Sequence, residues 1–256
     1  MQKKEFPKEI ALCLSGGAAK GAYHLGAINI LQKSGVAIKA ISGTSIGAVI
    51  GAALASGKSA EEIFEIFSSR EYREIFKFSM REGALFRVEQ EAEILEWLIP
   101  CRDFKELDIP LSVTLTDIMA AEPHYISSGD LRSAVLASSS ISPLLPPVRL
   151  NGVLYSDGGL VDNFPLEQLQ EFSYPIVGIN LYPNNPKIPT TIFGWLKKNI
   201  RIAWQKNNFA KAKLCDYYLT NNALDNVRAF SFSDIGKGYA LGEADMRRVL
   251  DSKEII

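Results

Sequence analysis

Ser45 lies within Gly43-Thr44-Ser45-Ile46-Gly47, preceded by the apolar run Ile38 to Ser42 and followed by small residues from Ala48 to Ala55. The pattern predicts a buried strand, a sharp turn and a helix packed close to a sheet, with the serine hydroxyl pushed out at the turn. Glycines on both sides of Ser45 permit the strained backbone and the close helix approach. Such a serine is a candidate nucleophile, and a hydroxyl at neutral pH needs a base.

The chain holds only two histidines, His24 and His124. His24 lies in line with Ile28 and Leu31 and is expected to pack on the sheet. His124 follows Pro123 in a strand-like stretch and reads as a satisfied structural histidine. No histidine follows Asp157, so a serine–acid–histidine triad in that order is excluded. The remaining chemistry is a carboxylate acting directly on the serine. Asp157 is the strongest choice, because it ends a strand and precedes Gly158 and Gly159, which allow the backbone to approach the elbow. An aspartate near its usual pKa is a weak base, and burial that raises the pKa toward neutrality would make it competent. Asp130 is placed to cap a helix, Asp117 precedes a turn, and Asp162 is placed to cap the following segment, so each has another task.

The third chemical element is Ser15-Gly16-Gly17-Ala18-Ala19-Lys20-Gly21, a glycine loop that opens a helix. Exposed backbone amides there favour an anion. The spacing of a dinucleotide fingerprint is not met, nor is that of a phosphate loop. An oxyanion hole fits this loop better beside an elbow serine, and the alternative is that its glycines only turn the chain tightly.

These groups need a scaffold. Ile10 to Leu14 reads as the first buried strand, followed by a helix to about Gly35. Ser59-Ala60-Glu61-Glu62 is a capping box for a helix carrying Ile63, Phe64, Ile66 and Phe67. A loop is expected from Glu82 to Arg87, an amphipathic helix from Glu89 to Ile99, a strand over Leu111 to Thr116 and its partner at His124 to Ile126. Asp130 is expected to cap a helix from Leu131 to Ser138. Asn151-Gly152 marks a hairpin that delivers Asp157. A helix is expected from Asn163 and Pro165 through Glu171, then strands at Ile176 to Leu181 and Tyr217 to Leu219, and a closing helix around Tyr239 to Leu250. From Phe172 to Cys215 there are seven basic residues and no acidic one, interleaved with aromatics. Residues 193–213 thus read either as a contact for an anionic membrane surface or as a cationic helix whose inner face carries Ile192, Leu196, Ile200 and Ala203.

With 256 residues, 47% of them hydrophobic, the chain can build one large α/β core. A net charge of −1 offers no global field for nucleic acid, and none is expected as a partner. Cys13, Cys101 and Cys215 are odd in number and far apart, which argues against disulfides or a metal cluster. Together with an N-terminal apolar run too short for a signal peptide or a span, this predicts a cytoplasmic protein able to visit a membrane surface. No cofactor is expected, and oligomeric state is not readable from the sequence.

Taken together, Gly16-Gly17-Ala18-Ala19-Lys20-Gly21, Gly43-Thr44-Ser45-Ile46-Gly47 and Asp157-Gly158-Gly159 resemble the three signature blocks of the patatin-like phospholipases. Ala137-Ser138-Ser139-Ser140-Ile141-Ser142-Pro143, with the Asn151-Gly152 hairpin, resembles the segment before the aspartate in bacterial members. The likeness covers roughly residues 10–170. It implies a three-layer α/β/α fold around a mostly parallel sheet, with a motif-bearing core at about 10–181 and a helical portion at 192–256 of a single domain. It also implies a Ser45–Asp157 dyad, with the amides of Gly16, Gly17 and Ala18 as the oxyanion hole, that hydrolyses acyl esters of phospholipids or lysophospholipids without metal. Leu85, Phe86, Leu144 and Leu145 are candidate acyl contacts. The same dyad could serve an acyltransferase, or the scaffold could be a non-catalytic membrane-associated regulator. The family usually has glycine where this chain has Ala18, and alanine resists the positive φ that glycine adopts freely.

Overall fold

The computed structural model describes residues 5–80, 83–89, 92–184, 188–228 and 232–251. In chain order the first elements are β1 (Glu9–Leu14), α1 (Ala22–Lys33), β2 (Ala37–Thr44), α2 (Ile46–Ala55), α3 (Ala60–Ser68) and α4 (Arg70–Glu74). Then come β3 (Phe76–Phe78), β4 (Phe86–Val88), α5 (Glu93–Leu98), β5 (Leu111–Asp117), β6 (Glu122–Ile126) and α6 (Leu131–Ser138). The chain continues through β7 (Val148–Leu150), β8 (Val153–Asp157), β9 (Ile176–Ile179), α7 (Ile192–Ala212), β10 (Tyr217–Leu219) and α8 (Ile235–Asp251).

Eight strands form one sheet in the order β10-β9-β1-β2-β5-β8-β7, with β6 paired to β5. The pairs from β10 to β5 are parallel, whereas β6, β7 and β8 join antiparallel. Alternation along β1 sorts its side chains between two cores. Ile10, Leu12 and Leu14 enter the large one with α1, α2, α3 and α6, while Ala11 and Cys13 meet Phe164, Leu166 and Leu169 on the other face. The sheet is thus mixed but mostly parallel, with covered faces.

Two glycines set how closely α8 packs on α1. A Cβ on Gly26 would stand 2.0 Å from the Tyr239 carbonyl oxygen, and one on Gly242 would stand 2.1 Å from that of Tyr23. The helix backbones therefore touch. The Ser59 capping box forms as its sequence demands, Asp130 accepts the Ser133 amide at 3.1 Å, and both Asn151 and Gly152 take positive φ in the β7–β8 turn.

Several elements differ from expectation. The helix expected from Glu89 to Ile99 is ordered as helix only over Glu93–Leu98, and residues 90 and 91 lie outside those described. Phe86 and Arg87, expected in a loop, belong to β4 and pair with Phe78 and Lys77. The stretch from Asn163 through Glu171 makes only one 3₁₀ turn, Leu166–Leu169, because Phe164 and Leu166 are drawn onto the sheet. In α7, the reading that put Ile192 and Leu196 on the inner face does not hold: they are 87% and 56% exposed, Arg201, Gln205 and Asn208 are buried instead, and the side chains of Ile200 and Ala203 lie outside those described.

Candidate active site

The elbow forms at the C-terminal end of β2. Ser45 takes φ 55° and ψ −122°, a strained conformation for any side-chain-bearing residue. Its flanking glycines are required by space. A Cβ on Gly43 would be 2.5 Å from the Gly47 carbonyl oxygen, and one on Gly47 would be 2.3 Å from that of Leu14. Larger residues there would lift α2 away from β1 and displace the serine. The strain is held by a residue that motif reading missed. Ser138, at the end of α6 and fully buried, accepts the Ser45 amide at 2.9 Å and donates its hydroxyl to the Thr114 carbonyl at 2.7 Å.

Asp157 closes β8 opposite Leu115 of β5. The Ser45 hydroxyl donates to its Oδ2 at 2.6 Å, and the Gly159 amide donates to its Oδ1 at 2.8 Å. The backbone is pinned as well, since the Asp157 amide donates to Ser140 and its carbonyl accepts the Thr116 hydroxyl. Burial raises the carboxyl pKa from 3.8 to about 6, and the bonds from Ser45 and Gly159 hold it below what burial alone would impose. A Cβ on Gly158 would lie 2.2 Å from the Thr114 carbonyl oxygen, so the chain can pass β5 there only as glycine.

The competing aspartates are occupied elsewhere. Asp117 accepts the amides of Met119 and Ala120, and Asp130 caps α6. Asp162 accepts Phe164 N–H, the Tyr125 hydroxyl and the Lys211 ammonium. Neither histidine bonds to Ser45. His124 Nδ1 meets the Tyr155 hydroxyl at 2.8 Å. His24 is fully buried, and burial lowers its pKa to about 4, so it is neutral at physiological pH. Its Nε2–H donates to the Ser15 carbonyl at 2.9 Å, propping the glycine loop from beneath.

That loop runs beside the elbow, and a Cβ on Gly16 would come within 3.1 Å of the Ser45 Cβ. The Gly16 amide donates to the Asn163 carbonyl at a long 3.4 Å. Among the described residues, the Gly17 and Ala18 amides have no acceptor. Ala18 adopts φ 50° despite its side chain. Gly16, Gly17 and Ala18 line the same cavity as Ser45 and Asp157. Asn163 lines it too. It is 5% exposed, and its side-chain Nδ2 has no hydrogen-bond partner.

The cavity has a volume of about 1240 Å³. Besides Ser45, its lining includes Ile46 and Val49 and the apolar side chains of Phe67, Phe76, Phe86, Leu98, Leu144 and Leu145. Of the four expected acyl contacts, Leu85 does not line it and is part exposed. Arg73, Glu96, Arg102 and Arg132 line it as charged groups, with Glu96 accepting from Arg102 at 2.6 Å and from Arg132 at 3.0 Å. Among the described residues, no group of three or more histidine, cysteine, aspartate or glutamate side chains is placed to hold a metal. All three cysteines are free.

A mostly parallel α/β sheet with a serine on a strand–helix elbow defines the class of α/β proteins to which this chain belongs. Within that class, the sequence profile described as "Patatin-like phospholipase" matches residues 12–169, and the chain belongs to that family. It is 30% identical over 174 residues to an NTE family protein of Mycobacterium tuberculosis, a match covering 67% of this chain and 46% of the relative. It is 31% identical over 185 residues to "Lysophospholipase NTE1" of Kluyveromyces lactis, covering 66% of this chain and 12% of that protein. The chain thus spans less than half the length of these relatives. Among solved structures, it is similar to VipD from Legionella pneumophila (17% identity, TM-score 0.55, 97% of this chain and 68% of that one). It is also similar to the type III effector ExoU (14% identity, TM-score 0.52, 98% of this chain and 54% of that one). At these identities the likeness concerns the fold.

Proposed function

We propose that the protein is a serine acyl hydrolase acting on acyl esters of phospholipids or lysophospholipids through a Ser45–Asp157 dyad. The observation that carries this reading is the 2.6 Å bond from the Ser45 hydroxyl to a buried Asp157, both in the wall of a largely apolar cavity. The name of the yeast relative points to the same substrate class.

In this reading, Ser45 Oγ attacks the ester carbonyl carbon as its proton passes to Asp157 Oδ2. The Gly17 and Ala18 amides, with Gly16 holding the loop against Asn163, receive the tetrahedral oxyanion. Protonated Asp157 then gives its proton to the departing alcohol oxygen, and the acyl chain stays on Ser45. Water attacks the acyl-enzyme, its proton passes to Asp157 and then to Ser45 as that oxygen leaves, and the fatty acid departs. A carboxyl pKa near 6 suits both halves of this cycle.

The apolar lining of the cavity would hold the acyl chain. The substrate would be met at a membrane surface through residues 193–213 by a cytoplasmic protein, a location with which three free cysteines are compatible. Residues 1–256 would act as one catalytic unit. The deciding experiment is labelling by a fluorophosphonate together with release of fatty acid from lysophospholipid. Both are expected in the native chain and neither in Ser45→Ala. Labelling unchanged by that substitution would sink the reading. Transfer to an added alcohol outpacing release in water would instead make the protein an acyltransferase on the same dyad.

A further inference from the structure

Helix α7 is built inside out. On its inner side Arg201 donates to the Pro183 carbonyl and pairs with Asp225, and Gln205 also donates to the Pro183 carbonyl. Asn208 donates to Asn180 at 3.2 Å, and Lys211 reaches Asp162 and the Phe164 carbonyl at 2.8 and 2.9 Å. These four residues recur at helical spacing, so the helix is fastened by one polar stripe. On the outer side, Ile192, Trp195, Leu196 and Ile202 are at least half exposed, and Phe209 and Leu214 continue the row. Exposed apolar residues scattered singly need no explanation, but a stripe of six on one helix face and its end does.

We infer that this outer face is a docking surface for an anionic lipid bilayer, with the aliphatic and aromatic side chains entering the acyl boundary. The inference rests on the lipid-hydrolase reading above for why such a face would be useful. Its charge pattern selects the occupant. Between Phe172 and Cys215 the chain has seven basic and no acidic residues, so the segment that carries this face is cationic. An apolar stripe on a segment whose charged residues are all basic fits an anionic interface. A second copy would bring one cationic segment against another.

The position of α7 also fits. Its inner anchors hold Pro183 next to Tyr182, which lines the cavity, and hold Asp162 in the loop that follows Asp157. A bilayer seated on α7 would therefore lie beside the site. Among the described residues no helix is long and apolar enough to cross a membrane, so the contact would be peripheral.

The test uses the full chain carrying Ser45→Ala, so that lipid is not consumed, with flotation on vesicles of phosphatidylcholine with and without phosphatidylglycerol. Flotation is expected with the anionic vesicles and weakly with phosphatidylcholine alone. Adding Trp195→Ser and Leu196→Ser is expected to lower partition by about ten-fold or more. In an otherwise native chain, this pair should leave hydrolysis of a short-chain, monomeric ester unchanged. Flotation with neither vesicle, or equal flotation of parent and variant, would overturn the inference. So would a concentration-dependent dimer that the double substitution dissolves, since the face would then join two copies. Loss of short-chain turnover in the native chain, with flotation intact, would refute the catalytic reading and leave the docking face standing.

Discussion

Ser45 and Asp157 are separated by 112 positions in the chain, yet the hydroxyl of one lies 2.6 Å from the carboxylate of the other. No imidazole stands between them. Strands β2, β5 and β8 span the separation, with β5 pairing to both of the others. The bond is therefore a product of sheet register, and one residue of slip in β8 would turn Asp157 to the opposite face.

Removing either member should remove the chemistry. Ser45→Ala is expected to abolish fluorophosphonate labelling and to lower ester turnover by about 10⁴-fold or more, with Asp157→Asn close behind. Circular dichroism of both variants checks that the fold is kept.

The Asp157 pKa gives the pH dependence its sign. With the Asp157 carboxylate as the proposed base, kcat/KM should rise with pH through about 6 and then level off. Stability runs the other way. The folded-state pKa lies above the unfolded value of 3.8, so the folded chain binds the proton more tightly. The contribution of this one carboxyl is thus fullest below about pH 4 and is lost as pH rises through 6. Two pKa units correspond to roughly 3 kcal/mol. Thermal melts should show Asp157→Asn more stable than the parent at pH 8 by up to that amount, with the gain shrinking toward pH 4.

Ser138 should act as a positioning residue. Ser138→Ala leaves the Ser45 amide without its acceptor, a loss of roughly 1–3 kcal/mol for a buried donor. Because the substitution loosens the elbow without touching the acyl chamber, kcat is expected to fall by about ten-fold while KM stays near its native value. A lowered melting temperature with unchanged kcat would assign Ser138 to stability alone.

Ala18 carries a backbone cost that glycine would remove. At φ 50°, Ala18→Gly should raise stability by about 0.5–1 kcal/mol, after allowing for the greater freedom of unfolded glycine. Ala18→Val should lower stability by more, since a branched side chain tolerates this region less well. Denaturant melts compare the three. Turnover by Ala18→Gly is expected within about three-fold of native, because the amide already takes the conformation glycine would adopt.

The elbow, the capping box, the Asn151-Gly152 turn and the pairing of Ser45 with Asp157 were all legible before any coordinates. Each depends on residue types whose local demands are strong. Glycine is needed where a Cβ would strike backbone, serine and aspartate at helix starts, and a base wherever a hydroxyl must attack. The exclusion of a serine–acid–histidine triad needed no more than counting. The support of the site was less visible. Ser138 sits 93 residues from the amide it holds, and His24 looked like packing until its ring was seen beneath the Ser15 carbonyl. Hydrogen bonds between distant segments leave no periodic trace in a chain.

Helix α7 marks the boundary most clearly. Its helical and cationic character followed from sequence, as did the grouping of Ile192 with Leu196 on one face. Which face turned inward did not. Helical spacing decides which side chains lie together, but the inward direction is set by what the rest of the fold offers. Here Asp162, Asn180, Pro183 and Asp225 present carboxylates, an amide and a carbonyl that draw in Arg201, Gln205, Asn208 and Lys211. Burying those acceptors unpaired would cost more than leaving the apolar stripe in water, and that comparison exists only once the chain has folded.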